Sequence, residues 1–197
     1  MGDTYLTLAG ESEGLYKEKM SRFISFAYPV SDKEAIKVHL DRIQKEYYDA
    51  RHVCYAYMLG HDRNEFRAND NGEPSGSAGK PILGQINSFG LTDVLIVIVR
   101  YFGGVKLGTG GLAVAYRESA KEAILNNQII EKRVGVMFRI CFEYPYLNDV
   151  MRIVKEENPE VISQSFELNC EMKLSIRQSL ADKLRSRLLQ VETIRLE

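Results

Sequence analysis

The sequence predicts an α+β protein of two domains, and three observations carry that expectation. Ten of the fifteen glycines fall in the forty residues from Gly72 to Gly111. Inside the same window lies "VLIVIV", an uninterrupted aliphatic and β-branched run. Beyond residue 130 glycine nearly vanishes and apolar residues begin to alternate with polar ones, the period of a half-covered strand. The expected division is therefore 1–130 and 131–197.

In the first part, Arg22 to Val30 reads as a strand ending near Pro29. Ser31 or Asp32 is placed to cap a helix with Ile36, Leu40, Ile43 and Tyr47 on one face. "VCYAYMLG" from Val53 reads as a buried strand, and Glu65 to Ala68 as a shorter one. The loop "NDNGEPSGS" has the Asn-Gly and Glu-Pro steps of turns, and a helix should start near Ala78 with Pro81 in its first turn. Val94 to Phe102 reads as a central strand covered on both faces. The loop "GGVKLGTGG" then leads into a helix from about Leu112 to Asn126, striped by Leu112, Tyr116, Ala120 and Ile124.

In the second part, Val134, Val136, Phe138, Ile140 and Phe142 alternate as a strand, and Leu147, Val150, Met151 and Val154 mark a short helix. Val161 to Leu168 and Leu168 to Ile176 read as two strands, Ser179 with Asp182 as a capping box for a helix bearing Leu180, Leu184 and Leu188, and "ETIRLE" as a last strand. The order β-α-β-β-α-β is that of a ferredoxin-like sandwich.

Apolar residues make up 45% and charged residues 27%, which excludes fibrous, low-complexity and disordered classes. With 26 basic against 27 acidic side chains the net charge is −1, so a surface basic all over is excluded while a local basic patch is not. The run Val94 to Val99 is far short of the roughly 20 apolar residues of a spanning helix, so no membrane contact is expected. The first residues carry neither a basic n-region nor an apolar stretch, and Leu6 occupies the place where a myristoylation signal wants Ser or Thr. Three widely spaced cysteines, Cys54, Cys141 and Cys170, suit a reducing compartment, and the cytoplasm is the expected location.

Chemistry should gather in the Gly-rich window. Gly108, Gly110 and Gly111 sit between a strand and a helix, where bare amides at the positive end of a helix dipole favour an anion. Gly72 to Gly79 also opens a helix, with Ser75, Ser77 and Lys80 as donors. Between Glu73 and Glu118 the sole acid is Asp93, whereas Lys80, Arg100, Lys106 and Arg117 all lie there. The expectation is one locally positive site for an anion or a phosphate backbone; the competing reading is that the glycines only permit tight turns. "GTGGLA" matches a dinucleotide fingerprint formally, but the strand and helix context is wrong, and no Walker loop is present. His52 and Cys54 share a strand face, a spacing open to metal or thiol chemistry and equally to a core cysteine beside a hydrogen-bonded histidine.

The blocks "RHVCYAYMLG" from Arg51, "DNGEPSGSAGKPIL" from Asp70 and "VRYFGGVKLGTGGLAVAY" from Val99 resemble the three signature blocks of the YigZ/IMPACT family. The resemblance spans essentially the whole chain, because the alternating tail is similar to the second domain of bacterial members. It implies a first domain shared in fold with a domain of a small-subunit ribosomal protein and of a translocation factor, and a tail like the last domain of elongation factor G. Eukaryotic relatives act in translational control by binding the activator of a starvation-sensing kinase, with help from an additional amino-terminal module. With the first strand read at Arg22, no room for that module is expected, and the kinase role does not transfer directly. For bacterial members the resemblance implies nucleic-acid or ribosome association. Asn71 stands at the second acidic place of the family's "DDGEP", which argues against a carboxylate pair and against a metal.

Three functions are therefore carried forward. The first is a non-enzymatic binding protein that meets RNA phosphate or a translation-machinery surface through Lys80, Arg100, Lys106 and Arg117, with Ser75, Ser77, Gly108, Gly110 and Gly111. A hydrolase-like enzyme would use the same loops as an oxyanion cradle with His52 or Glu73 as base. A protein-interaction module would dock a partner, or a second copy, on the carboxyl-terminal sheet. No cofactor is expected.

Overall fold

The structure is a computed structural model describing residues 3–197, and it has a mixed α/β fold. Its internal contacts divide it into two compact units, Tyr5–Lys132 and Arg133–Glu197 with residues 3 and 4.

In the first unit the strands β1 (Thr4–Leu8), β2 (Ser12–Glu18) and β3 (Ser21–Pro29) precede helix α1 (Lys33–Glu46). Then come β4 (His52–Leu59), β5 (Glu65–Asn69), α2 (Gly79–Ser88), β6 (Val94–Tyr101), α3 (Gly108–Leu125) and β7 (Ile129–Arg133). Five strands form one antiparallel sheet in the order β2-β3-β6-β4-β5, and β1 pairs separately with β7.

Strand β6 sits at the centre because its side chains have no polar face to turn outward. Val94 to Val99 are all 0% exposed. Val94, Ile96 and Ile98 pack with Ile82 and Ile86 of α2 and with Leu112, Tyr116 and Ala120 of α3. Leu95, Val97 and Val99 point the opposite way, onto Phe26, Tyr28 and the α1 residues Ile36 and Ile43. Each such side chain contributes roughly 1.5–3 kcal/mol on burial. Helix α1 starts where Asp32 Oδ1 accepts the amide proton of Ala35 at 2.8 Å, which holds the Asp32 carboxyl below the usual carboxylate range. Helix α3 lies close on β2 and β3 because the contact residues are small: a Cβ on Gly14 would stand 2.7 Å from the Ala123 amide, and Ser25 Oγ donates to the Ser119 carbonyl at 2.7 Å.

Two differences from the sequence expectation are structural. Strands β1, β2 and β7 were not anticipated, since "SEGLYKE" of β2 alternates weakly and lies at the sheet edge. Helix α3 begins at Gly108 rather than near Leu112, so Gly108, Gly110 and Gly111 form its first turn instead of a preceding loop.

In the second unit, β8 (Gly135–Glu143), α4 (Leu147–Glu157), β9 (Glu160–Phe166), β10 (Asn169–Arg177), α5 (Gln178–Leu188) and β11 (Arg195–Leu196) follow in turn. The antiparallel sheet has the order β11-β8-β10-β9. Phe138, Ile140 and Phe142 of β8 and Cys170, Met172 and Leu174 of β10 face Val150 of α4 and Leu184 and Leu188 of α5. Buried Glu157 joins the helices by accepting from Arg187 Nη1 at 2.6 Å and Lys183 Nζ at 2.9 Å, contacts that keep its carboxyl below the ordinary range. The expected Ser179 capping box does not form. Helix α5 starts at Gln178, so Ser179 is already helical, and the Asp3 carboxylate accepts its amide at 2.9 Å and its hydroxyl as well. Among the described residues no helix is long and apolar enough to cross a membrane.

Candidate functional site

The signature loops converge at one end of the five-stranded sheet, and the register shows how. Across β2, β3, β6 and β4 the partners Tyr16, Phe23, Arg100 and His52 lie in one row. One residue nearer the end, Lys17, Arg22 and Tyr101 form the next row. The loop from Asp70 to Ala78 leaves β5 beside this end, and the loop from Phe102 to Leu107 leaves β6 there.

Beneath the loops is a sealed polar network. Arg100, 7% exposed, donates from Nη1 to Glu73 Oε1 at 2.7 Å, and Glu73 is 8% exposed. The same carboxylate oxygen accepts the Tyr116 hydroxyl at 2.9 Å. The Cys54 thiol stands 2.9 Å from the Asp70 carbonyl and 3.3 Å from the Tyr116 oxygen. Burial pushes the Cys54 thiol up to about 12, and burial together with the neighbouring Cys54 and Glu73 raises the Tyr116 phenol, so both stay protonated near neutrality.

Asp70 arranges the loop above the network. Its carboxylate accepts the amides of Gly76 at 2.8 Å, Ala78 at 3.0 Å and Gly79 at 2.8 Å. Burial acts to raise the Asp70 carboxyl, but these three donors and the Lys80 charge outweigh it and hold it below its ordinary value. Gly79 is required by packing, because a Cβ there would lie 2.4 Å from the Asn69 amide nitrogen. His52 Nδ1 lies 2.8 Å from the Asn71 carbonyl; that oxygen only accepts, so Nδ1 carries the proton.

Several expected site residues are therefore engaged internally. The amides opening α2 do not await an external anion, because Asp70 already takes them. Ser77 is 3% exposed and donates to the Pro74 carbonyl at 2.6 Å. Arg100 is not a solvent-facing contact: its charge is neutralised by Glu73. Glu73 in turn is 8% exposed with its Oε1 taken by both Arg100 and Tyr116, and Cys54 is a protonated core thiol rather than a nucleophile. Arg117 lies nine residues along α3 from Gly108, about 14 Å down the axis, and pairs with Glu118 at 3.2 Å. Ser75, Lys80, Lys106, Gly108 and Gly110 are exposed, Gly111 is half-buried, and no side chain caps the first turn of α3. Among the described residues no cluster of three metal-ligating side chains occurs.

The sequence reading missed part of the rim. Exposed Lys17, Lys19, Arg22 and Arg51 stand at the same sheet end as Lys80 and Lys106, and none of these six cations forms an ion pair among the described residues, although the Lys80 charge acts on Asp70. Arg22 lies over the Tyr101 ring, 5.2 Å from its centroid, and Phe102 is 54% exposed. The signal was present in "YKEKMSR", whose bases lie outside the Gly-rich window. Gly103 joins the two tips, since a Cβ on it would fall 2.0 Å from the backbone carbon of Met20.

Fold and site together define a mixed α/β protein of two units in which glycine-rich loops close over a buried Arg-Glu-Tyr-Cys network. The Impact N-terminal domain model matches residues 19–124, and the chain belongs to the IMPACT family. It is 32% identical over 183 residues to an IMPACT family member of Haemophilus influenzae, covering 90% of this chain and 87% of that one. It is 35% identical to IMPACT family member YvyE of Bacillus subtilis over 155 residues, covering 78% and 70% of the two chains. A crystal structure of a hypothetical protein superposes with a TM-score of 0.75 at 26% identity, covering 100% of this chain and 97% of the other.

Proposed function

We propose that this protein is a translation-associated binding protein that contacts RNA through its phosphate backbone at the loop end of the five-stranded sheet. One observation carries the reading: six exposed cations, none of them in an ion pair among the described residues, gather there on a chain whose net charge is only −1, and they outnumber the nearby Glu18, Asp49 and Asp70. Lys80 and Lys106 supply charge, the uncapped turn at Gly108 to Gly111 supplies amides, and Ser75 a hydroxyl. Arg100 lies beneath them, paired with Glu73. The sheet order β11-β8-β10-β9 supports a ferredoxin-like tail resembling the last domain of elongation factor G, and the first unit is read as the ribosomal-protein and translocation-factor type. Both likenesses point toward the translation machinery, and the cytoplasm is the matching location.

Phosphate binding releases counterions, so affinity for a single-stranded RNA should fall steeply between roughly 50 and 200 mM salt. Lys80→Glu with Lys106→Glu should weaken binding and flatten that slope. An affinity indifferent to salt, or unchanged in the double variant, removes the proposal.

A further inference from the structure

The buried Arg100 guanidinium uses only one of its nitrogens. Nη1 donates to Glu73, whereas Nε is shut away from solvent with no acceptor, and Nη2 donates to no described residue. Buried donors are ordinarily satisfied, and an orphaned one loses its hydration without recompense. Nε and Nη2 form one edge of the planar fork, whose spacing suits two oxygens of a single oxyanion. Two rings lie against the guanidinium: Cζ is 5.6 Å from the Phe23 centroid and 5.6 Å from that of Phe102. Phe23 is 0% exposed, whereas Phe102 is 54% exposed and open to solvent. A fork edge lacking an acceptor thus lies close to an exposed ring, at the sheet end where Lys17, Lys19, Arg22, Arg51, Lys80 and Lys106 are exposed.

A carboxylate would satisfy the fork alone. A nucleotide satisfies the fork and the ring together, because it carries phosphate oxygens and a flat base on one flexible sugar. We propose, resting on the RNA reading above, that Arg100 and Phe102 form a nucleotide subsite. The Nε and Nη2 edge takes the phosphate oxygens, and the base stacks on the outer face of Phe102. Glu73 is a positioning residue in this arrangement, since its bond to Nη1 turns the opposite edge of the fork toward the ligand. The ring of Phe102 swings aside to admit the phosphate, a movement for which its exposed side leaves room.

The Nε–Hε resonance of Arg100 in the full 15N-labelled chain reports the subsite directly, and its absence in Arg100→Lys assigns it. The probes are uridine 5′-monophosphate, inorganic phosphate, uridine and a short single-stranded oligouridylate. A saturable shift is expected with the monophosphate and the oligonucleotide, a weaker one with phosphate, and none with uridine. Phe102→Ala, an exposed substitution, should lower oligonucleotide affinity about tenfold, the scale of one lost stacking contact. A resonance that no phosphate-bearing probe moves, or wild-type affinity in Phe102→Ala, overturns the subsite. Equal shifts with inorganic phosphate and the monophosphate overturn the stacking half. If the oligonucleotide binds while Nε–Hε stays still, the subsite fails and the RNA reading stands. If the monophosphate shifts it and the oligonucleotide does not bind, the RNA reading fails and the subsite belongs to a free nucleotide.

Discussion

Glu73 and Arg100 are 27 residues apart in sequence and 2.7 Å apart in space, with side chains 3% and 8% exposed. Removing one member leaves the other charged, buried and without its counter-charge. Glu73→Ala or Arg100→Ala should each cost about 3–5 kcal/mol. The double variant should lose clearly less than the sum, because both changes act on one network. Urea unfolding of the three variants measures this, and strict additivity would show that the pair is not coupled.

Asp70 ties stability to pH. Its folded carboxyl titrates below the unfolded value of about 3.9, so the gain is fully present above that pH and is lost as pH falls through the lower folded value. Asp70→Ala should cost roughly 1–2 kcal/mol at neutral pH, as for a lost helix cap, with the difference from the parent shrinking below about pH 4. Thermal melts of both proteins from pH 7 to pH 3 give the comparison; a gap that widens in acid contradicts it.

The three free thiols should separate into classes. Cys54, pushed up to about 12, and buried Cys170 should resist an aromatic disulfide reagent at about pH 8, while half-buried Cys141 reacts first. Counting released thiolate before and after denaturant distinguishes one early thiol from three. Rapid labelling of Cys54 in the folded protein would refute its sealed state.

Glycines of the signature should divide by neighbour rather than by rank in the motif. Gly103→Ala would place a methyl 2.0 Å from the Met20 backbone and should lower the melting temperature sharply. Gly110→Ala meets nothing within 4 Å in the first turn of α3, and its effect should be neutral or stabilising by up to about 1 kcal/mol. Calorimetry on the two variants decides, and equal losses would count against the packing account.

Local pattern made much of the fold legible. The aliphatic run of β6 announced burial on both faces, Ser31 or Asp32 marked the start of α1, where Asp32 proves to be the cap, and the alternation of β8 and β10 revealed a covered face. What stayed hidden depends on distance in sequence. Nothing in the spacing of Lys80, Arg100, Lys106 and Arg117 says that one of the four will find Glu73 and be neutralised. A count of glycines likewise does not disclose that Asp70 will fill the amide cradle opening α2. The rim escaped notice because Lys17 and Lys19 come from β2 and the turn after it, a polar segment that resembles a loop, and Arg22 and Arg51 stand at strand starts outside the Gly-rich window.

Strand β6 gives alternate side chains to the layer under α1 and to the layer under α2 and α3, so it is a shared wall with no side of its own. Neither layer can melt alone without stripping the other of half its lining. Residues 5–132 should then open as a single cooperative block, with the slowest hydrogen exchange along Val94–Tyr101 and faster leakage at the outer strands β2 and β5.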